Sequence, residues 1–182
     1  MKVVKKSKIK GCYLFKHNIF EDNRGFLEKI YSEDFIKKYL NFKKIKQINY
    51  SLTKKKYSIR GLHYQNPQKE FKLVKCLDGK VFDVVVDLRA ESKTFLKYEK
   101  FILDSNKPYV LLIPENCAHG YQTLSSNVKI LYLHTNLYFP NYSKGMNYKD
   151  PKLNIKWPFK ISNISIKDHK YKFIDKTNFN GL

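Results

Sequence analysis

Arginine is nearly absent. Three residues, Arg24, Arg60 and Arg89, stand against 33 lysines in a chain of 182. The net charge of +20 is therefore a lysine charge spread over the whole length. It has none of the concentrated basic stripe, helix-turn-helix, RRM or zinc-finger patterning by which proteins grip nucleic acid, so no nucleic-acid partner is expected. With its abundance of Asn, Ile, Tyr and Phe, the composition is what an AT-rich coding sequence produces. Cysteine is also scarce: Cys12, Cys76 and Cys117 are odd in number, widely spaced and without a CxxC pair, which excludes a disulfide framework or a cysteine-built zinc site and leaves buried free thiols. No apolar run approaches the ~18 residues that span a bilayer. The opening MKVVKKSKIKGCYLF lacks the apolar core and cleavage site of a signal peptide, so a cytoplasmic chain with no membrane partner is expected. No linker, repeat or Pro/Gly-rich hinge divides residues 1–182, and one domain is expected.

What the chain does have is β-patterning. A hydrophobic content of 42%, of which aromatics are a large part, argues for a packed body rather than disorder. After a strand-like opening, SEDFIKKYL at 32–40 reads as a short helix, with Ser32 as N-cap and Phe35, Ile36, Tyr39 and Leu40 on one face. From residue 45 the pattern becomes short β-rich runs: IKQINYSL, YSIRGLHY, KLVKCL, KVFDVVVDLR, LKYEKFIL, YVLLIP, GYQTL and VKILYLHTNLYF. The turn signals between them are LDGK, DSNKP and PENCAHG. Turns about every 10 residues suit an antiparallel sandwich or barrel. The expected fold is mainly β, a jelly-roll of cupin-like type with short helices and a C-terminal tail, from about residue 150, that Trp157-Pro158 packs back onto the body.

If lysine is the default cation, the places that keep arginine are informative, because a planar guanidinium grips phosphate or carboxylate bidentately. Arg24 and Arg60 are each followed by glycine, which permits close backbone approach. Surplus positive charge would also draw in small anions such as a nucleotide diphosphate. In the run 81–87, alternation puts Asp83, Val85 and Asp87 on one face, pointing either into a polar cavity or out to water. His63 and His119 invite a metal, since metal cupins use an HxH pair, a downstream Glu and a later His. Here Gln65 stands where the second imidazole belongs, and with Glu70 and His119 only three of four ligands assemble, so a metal-free cavity is expected. A cavity of histidine, lysine and tyrosine suits proton transfer beside a carbonyl: an imidazole base, a cation for the enolate and a facing tyrosine as acid.

The ordered motifs DNRGFLEKIY at 22–31, QINYS at 47–51, RGLHYQ at 60–65, KLVKCLDGKVFDVVVDLRAESKTF at 72–95, IPENCAHGYQTLS at 113–125, ILYLHTNLYFP at 130–140 and NYKDPKLNIKWP at 147–158 resemble the dTDP-4-dehydrorhamnose 3,5-epimerase family. The resemblance implies a jelly-roll homodimer, without metal or redox cofactor, that inverts C3 and C5 of a nucleotide-linked 4-keto-6-deoxyhexose. It places the base on His63, the facing acid on Tyr132, the enolate-stabilising cation on Lys72 and, more thinly, the carboxylate that holds the base on Asp168. Arg24 and Arg60 look like sugar and diphosphate grips, and Glu28, Gln47 and Asn49 like polar contacts to the nucleotide sugar. His119 looks like a cavity-lining donor and Tyr138 like an aromatic wall for the base.

The chain also departs from the family pattern. Glu70-Phe71 replaces a common glutamine-glycine pair, and Tyr132-Leu133, followed by His134, replaces the usual Tyr-Lys. An acid and a bulky ring near the cavity mouth, with a lysine lost, would accommodate another nucleotide, a larger sugar such as a GDP-linked heptose, or inversion at one carbon only. The expectation is an isomerase supplying a deoxysugar or modified heptose for surface polysaccharide. A ketoisomerase would need a histidine at 65, and a non-catalytic sugar-nucleotide-binding or nucleic-acid-binding barrel is the alternative from another class.

Overall fold

The computed structural model describes residues 1–175 and 177–182. Two antiparallel sheets face each other. The first runs in the order β1 (Lys2–Lys6), β2 (Tyr13–Lys16), β10 (Tyr109–Ile113), β7 (Lys72–Asp78), β12 (Val128–His134), β5 (Gln47–Thr53). The second runs β13 (Ser143–Gly145), β6 (Ile59–Gln65), β11 (Cys117–Thr123), β8 (Lys80–Asp87), β9 (Tyr98–Asp104). A separate hairpin pairs β3 (Ile19–Asp22) with β4 (Gly25–Glu28). This is the expected jelly-roll, and each of the eight β-rich runs from residue 45 contains an observed strand.

Strand alternation sorts the side chains into three layers. Between the sheets, Val74, Cys76, Leu111 and Ile130 of the first meet Val81, Val85, Phe101 and Tyr121 of the second. The outer face of the second sheet, with Leu62, Val84 and Val86, is covered by Met146, Leu153, Ile174 and Trp157 of the tail. Trp157 meets Phe82 edge-on at 6.0 Å and donates its indole N–H to the Tyr148 carbonyl, as its place in the sequence led one to expect. On the outer face of the first sheet, Phe71, Leu73, Leu112 and Leu133 pack with Phe15, Ile36 and Leu40.

The helix is shorter than its pattern. α1 spans only Glu33–Ile36, Ser32 makes no side-chain cap, and positive φ angles at Asn41 and Phe42 turn the chain away. So short a helix does not stand alone. Complete burial of Ile36 and Leu40 against the sheet, each contributing about 2 kcal/mol, holds it in place. All three cysteines are buried free thiols. PENCAHG is only partly a turn: Cys117, Ala118 and His119 already belong to β11. No helix among the described residues is long and apolar enough to cross a membrane.

Candidate active site

A cavity of about 1150 Å³ opens between the two sheets at the end where β5, β6, β7, β11 and β12 converge. Its five-stranded wall carries His63, directly across from His119 in the strand register. Gly61 makes this pairing possible. Its φ is +100°, and a Cβ there would lie 2.5 Å from the His119 carbonyl oxygen, so any other residue would force β6 and β11 apart. The close approach expected of this glycine is thus made to a neighbouring strand.

Asp168 reaches this wall from the tail. It lies in α2 (Ile166–His169), where Ser165 caps the turn by accepting from the Asp168 backbone N–H. One carboxylate oxygen takes His63 Nε2–H at 2.6 Å and the other takes the Gly61 N–H at 3.1 Å. Burial alone would raise the Asp168 carboxyl, but these bonds outweigh it and hold the group below the ordinary carboxylate range. Because a carboxylate only accepts, Nε2 carries the imidazole proton and the Nδ1 lone pair is left to act as base. Behind it, His119 Nε2 bonds Asp83 at 2.8 Å, and complete burial pushes the Asp83 carboxyl up against the pull of His119. Asp83 and Asp87 therefore point inward and are fully buried.

The six-stranded wall carries Tyr132 and Lys72. Burial, and then the neighbouring Tyr121, push the Tyr132 hydroxyl well above the ordinary phenol range, so it stays protonated. The Tyr132 ring sits 6.2 Å from that of His119 and 6.0 Å from that of His134. Lys72, buried, directs its ammonium at Glu70 and at the His63 carbonyl, both at 3.4 Å. Gln47 and Asn49 share the inner face of β5, joined by a 2.9 Å amide–amide bond. Arg60 lies at the mouth, its guanidinium oriented by Thr53 Oγ1 and the Leu52 carbonyl, with Lys54, Lys55 and Lys167 nearby. Tyr138 is half exposed at the rim.

Three sequence-predicted contacts lie off the cavity lining: Gln47, whose amide is taken up by Asn49 and the Tyr138 N–H, Arg24 and Glu28. Arg24 is exposed at the tip of the β3–β4 hairpin and bound to Asp22, and Glu28 is paired with Lys75 on the far side of β7, so neither lines the cavity of its own chain. Phe71 and Leu133 do not approach the mouth either. Both alternate away from the cavity into the core under α1, while Glu70 and His134 turn inward. Gln65 uses its amide to bind the Leu137 carbonyl and the Phe139 N–H, tying the segment that presents Tyr138. Among the described residues no group of three or more His, Cys, Asp and Glu is arranged to hold a metal ion.

A sequence model of the dTDP-4-dehydrorhamnose 3,5-epimerase family matches residues 6–176. The chain belongs to this family. It is an isomerase of the carbohydrate epimerase type. The epimerase of Salmonella typhimurium is 35% identical over 179 residues, covering 97% of each chain. That of Methanothermobacter thermautotrophicus is 31% identical over 170 residues, 92% of this chain and 91% of the relative. The Bacillus anthracis epimerase, solved with TDP and PPi bound, superposes with a TM-score of 0.90 at 30% identity, over 95% of this chain and 99% of the other. A Legionella pneumophila epimerase in complex with dTDP-4-keto-L-rhamnose superposes with a TM-score of 0.89 at 32% identity, over 97% and 96%.

Sequence reasoning did not pair Asp83 with His119 or Glu70 with His134. The signal was present in the alternation: Glu70 shares a face with Lys72, His134 with Tyr132, and Asp83 with Val85, each two residues apart on one chain.

Proposed function

We propose that this protein inverts C3 and C5 of a dTDP-linked 4-keto-6-deoxyhexose. The observation that carries the reading is the opposition of two loaded groups across one cavity: an imidazole made a one-sided base by Asp168, and a partly buried phenol kept protonated. His63 Nδ1 takes the proton from the carbon next to the ketone. The electron pair moves into the C4 carbonyl to give an enolate, whose oxygen the Lys72 ammonium stabilises, and Tyr132 delivers its proton to the opposite face of the same carbon. The imidazolium and phenolate left behind exchange protons with solvent at the open mouth, and no cofactor enters the balance. Arg60 takes the diphosphate, Asn49 and His119 contact the sugar, Gln47 holds Asn49 in place, and Tyr138 walls the base. The ligands carried by the relatives, TDP and dTDP-4-keto-L-rhamnose, favour dTDP over GDP. Of the grounds for a larger sugar, Phe71 faces the core while Glu70 turns into the cavity.

Residues 1–182 work as one domain and as a homodimer in this reading. The β3–β4 hairpin, with Phe20, Phe26 and Leu27 exposed beside Arg24, is shaped to be covered by a second copy and to bring Arg24 to that copy's cavity. Equal mixing of Arg24→Ala and His63→Ala chains is then expected to restore activity that neither has alone. Additive, unrestored rates would keep Arg24 out of the partner's site.

The reaction itself is tested by incubating the protein in D2O with dTDP-4-keto-6-deoxyglucose and following C3 and C5 by NMR. Deuterium is expected at both carbons in the wild type and near-abolition is expected in His63→Ala. Wash-in that survives that change removes His63 as base.

A further inference from the structure

Glu70 and His134, which flank the core-facing Phe71 and Leu133 in sequence, meet inside the cavity. Glu70 Oε2 accepts from His134 Nδ1 at 2.8 Å, while Glu70 Oε1 lies 3.4 Å from the Lys72 ammonium. All three side chains are nearly buried, with 7%, 12% and 10% exposure for Glu70, His134 and Lys72. Burial would raise the Glu70 carboxyl, but His134 and Lys72 together hold it below the ordinary range, so it is a carboxylate. With Nδ1 donating, His134 Nε2 accepts from Asn49 Nδ2 at 3.3 Å. Asn49 in turn takes a bond from Gln47, whose carbonyl oxygen receives the Tyr138 N–H at 2.8 Å. The His134 ring lies at 26° to the Tyr132 ring, a stacked arrangement.

We propose that Glu70 and His134 are a positioning pair for the epimerisation: one carboxylate holds the Lys72 ammonium and the His134 imidazole, and the imidazole fixes the ring of Tyr132. The inference rests on the roles proposed above for Lys72 and Tyr132. A glutamine at 70 has no charge to give Lys72, and its N–H2 would face another donor if its oxygen served His134. A small residue at 134 would leave one face of Tyr132 unsupported and Asn49 without its acceptor. The pair therefore couples the enolate cation to the facing acid, and through Asn49 and Gln47 it connects both to the segment presenting Tyr138. A bond network closed at each step holds such groups to the sub-ångström tolerance that proton transfer requires.

The test compares wild type with Glu70→Gln, His134→Ala and His134→Gln, each checked for an unchanged thermal midpoint. Glu70→Gln is expected to lower kcat between about tenfold and 100-fold with KM within a factor of about two, the signature of misplaced rather than missing binding groups. His134→Ala is expected to reduce inversion more than deuterium exchange, because it loosens the acid and not the base. His134→Gln, which can donate to Glu70 and accept from Asn49, should recover kcat while leaving the exchange-to-inversion ratio altered, since an amide cannot stack as the ring does. A second readout needs no turnover: reductive methylation of Lys72, followed by peptide mass spectrometry, should accelerate about tenfold in Glu70→Gln, where the amine loses the carboxylate that holds it in place. Unchanged kcat, ratio and Lys72 reactivity in folded variants would overturn the proposal. Wild-type protein that exchanges no deuterium would instead overturn the reading of the reaction, and the Lys72 reactivity would still decide whether Glu70 holds that ammonium.

Discussion

The two walls of the cavity solve the same problem differently. On the five-stranded wall each imidazole is paired with its own carboxylate, His63 with Asp168 and His119 with Asp83, by bonds of 2.6 and 2.8 Å. On the six-stranded wall one carboxylate, Glu70, is shared by a lysine and a histidine, and the bonds continue through amides to the rim. The first arrangement fixes the proton on one imidazole nitrogen and tolerates little variation. The second spreads its constraint over several residues. Orientation of a base is a local task for a single partner, whereas a cation and an acid from neighbouring strands must be placed relative to each other.

The contrast breaks first at Asp168. Asp168→Asn keeps the shape but offers His63 an amide that can donate, which releases the imidazole from its single tautomer. Exchange at both carbons is expected to fall about 10³-fold, and NMR wash-in rates within tenfold of wild type would show that the carboxylate is not needed to set the base. Next comes the opposite wall. Tyr132→Phe removes the facing proton and leaves the base intact, so inversion should fall about 10²-fold while deuterium still enters from the His63 side. Equal loss of exchange and inversion would mean that the two walls do not divide the work.

The smallest effect separates pairs that serve the site from pairs that serve the fold. Asp87, on the same strand as Asp83, is fully buried and bonded by Arg89, Ser92 and Thr94. Burial would raise its carboxyl, and those donors more than reverse this, to about 2. A folded pKa below the unfolded value contributes stability that is present above about pH 4 and lost as pH falls towards 2. Asp87→Asn should therefore lower the unfolding free energy by about 2 kcal/mol near neutrality, flatten the acid limb of the stability curve between pH 4 and 2, and leave kcat alone. A variant with wild-type stability and reduced turnover would reassign Asp87 to the site.

The strands and their inward residues were legible because alternation over seven or eight residues repeats one statement several times, as in VFDVVVD of β8. His63, Lys72 and Tyr132 were legible through motif order. The β3–β4 hairpin was not, because its four-residue strands expose Phe26 and Leu27 and bury nothing that patterning could detect. The helix at 32–40 was overextended because packing of Ile36 and Leu40 decides its place while Asn41 and Phe42 end it by backbone conformation. SIKDHK looks like a solvated lysine segment, and the burial of Asp168 depends on a capped turn and a partner 105 residues away. The departures at 70–71 and 132–133, with His134 following, were visible as letters. Their meaning depended on which of each pair faces inward, and that required the register of β7 against β12.

The distance along the chain from His63 to Asp168 has a consequence for the birth of the enzyme. When the ribosome has delivered every strand of both sheets, through β13, the base still lacks the carboxylate that gives it direction. At roughly 10 residues per second, about ten seconds separate the synthesis of His63 from that of Asp168. Until then the outer face of the second sheet also lacks its tail cover, so in the proposed mechanism efficient turnover reports that translation has passed α2.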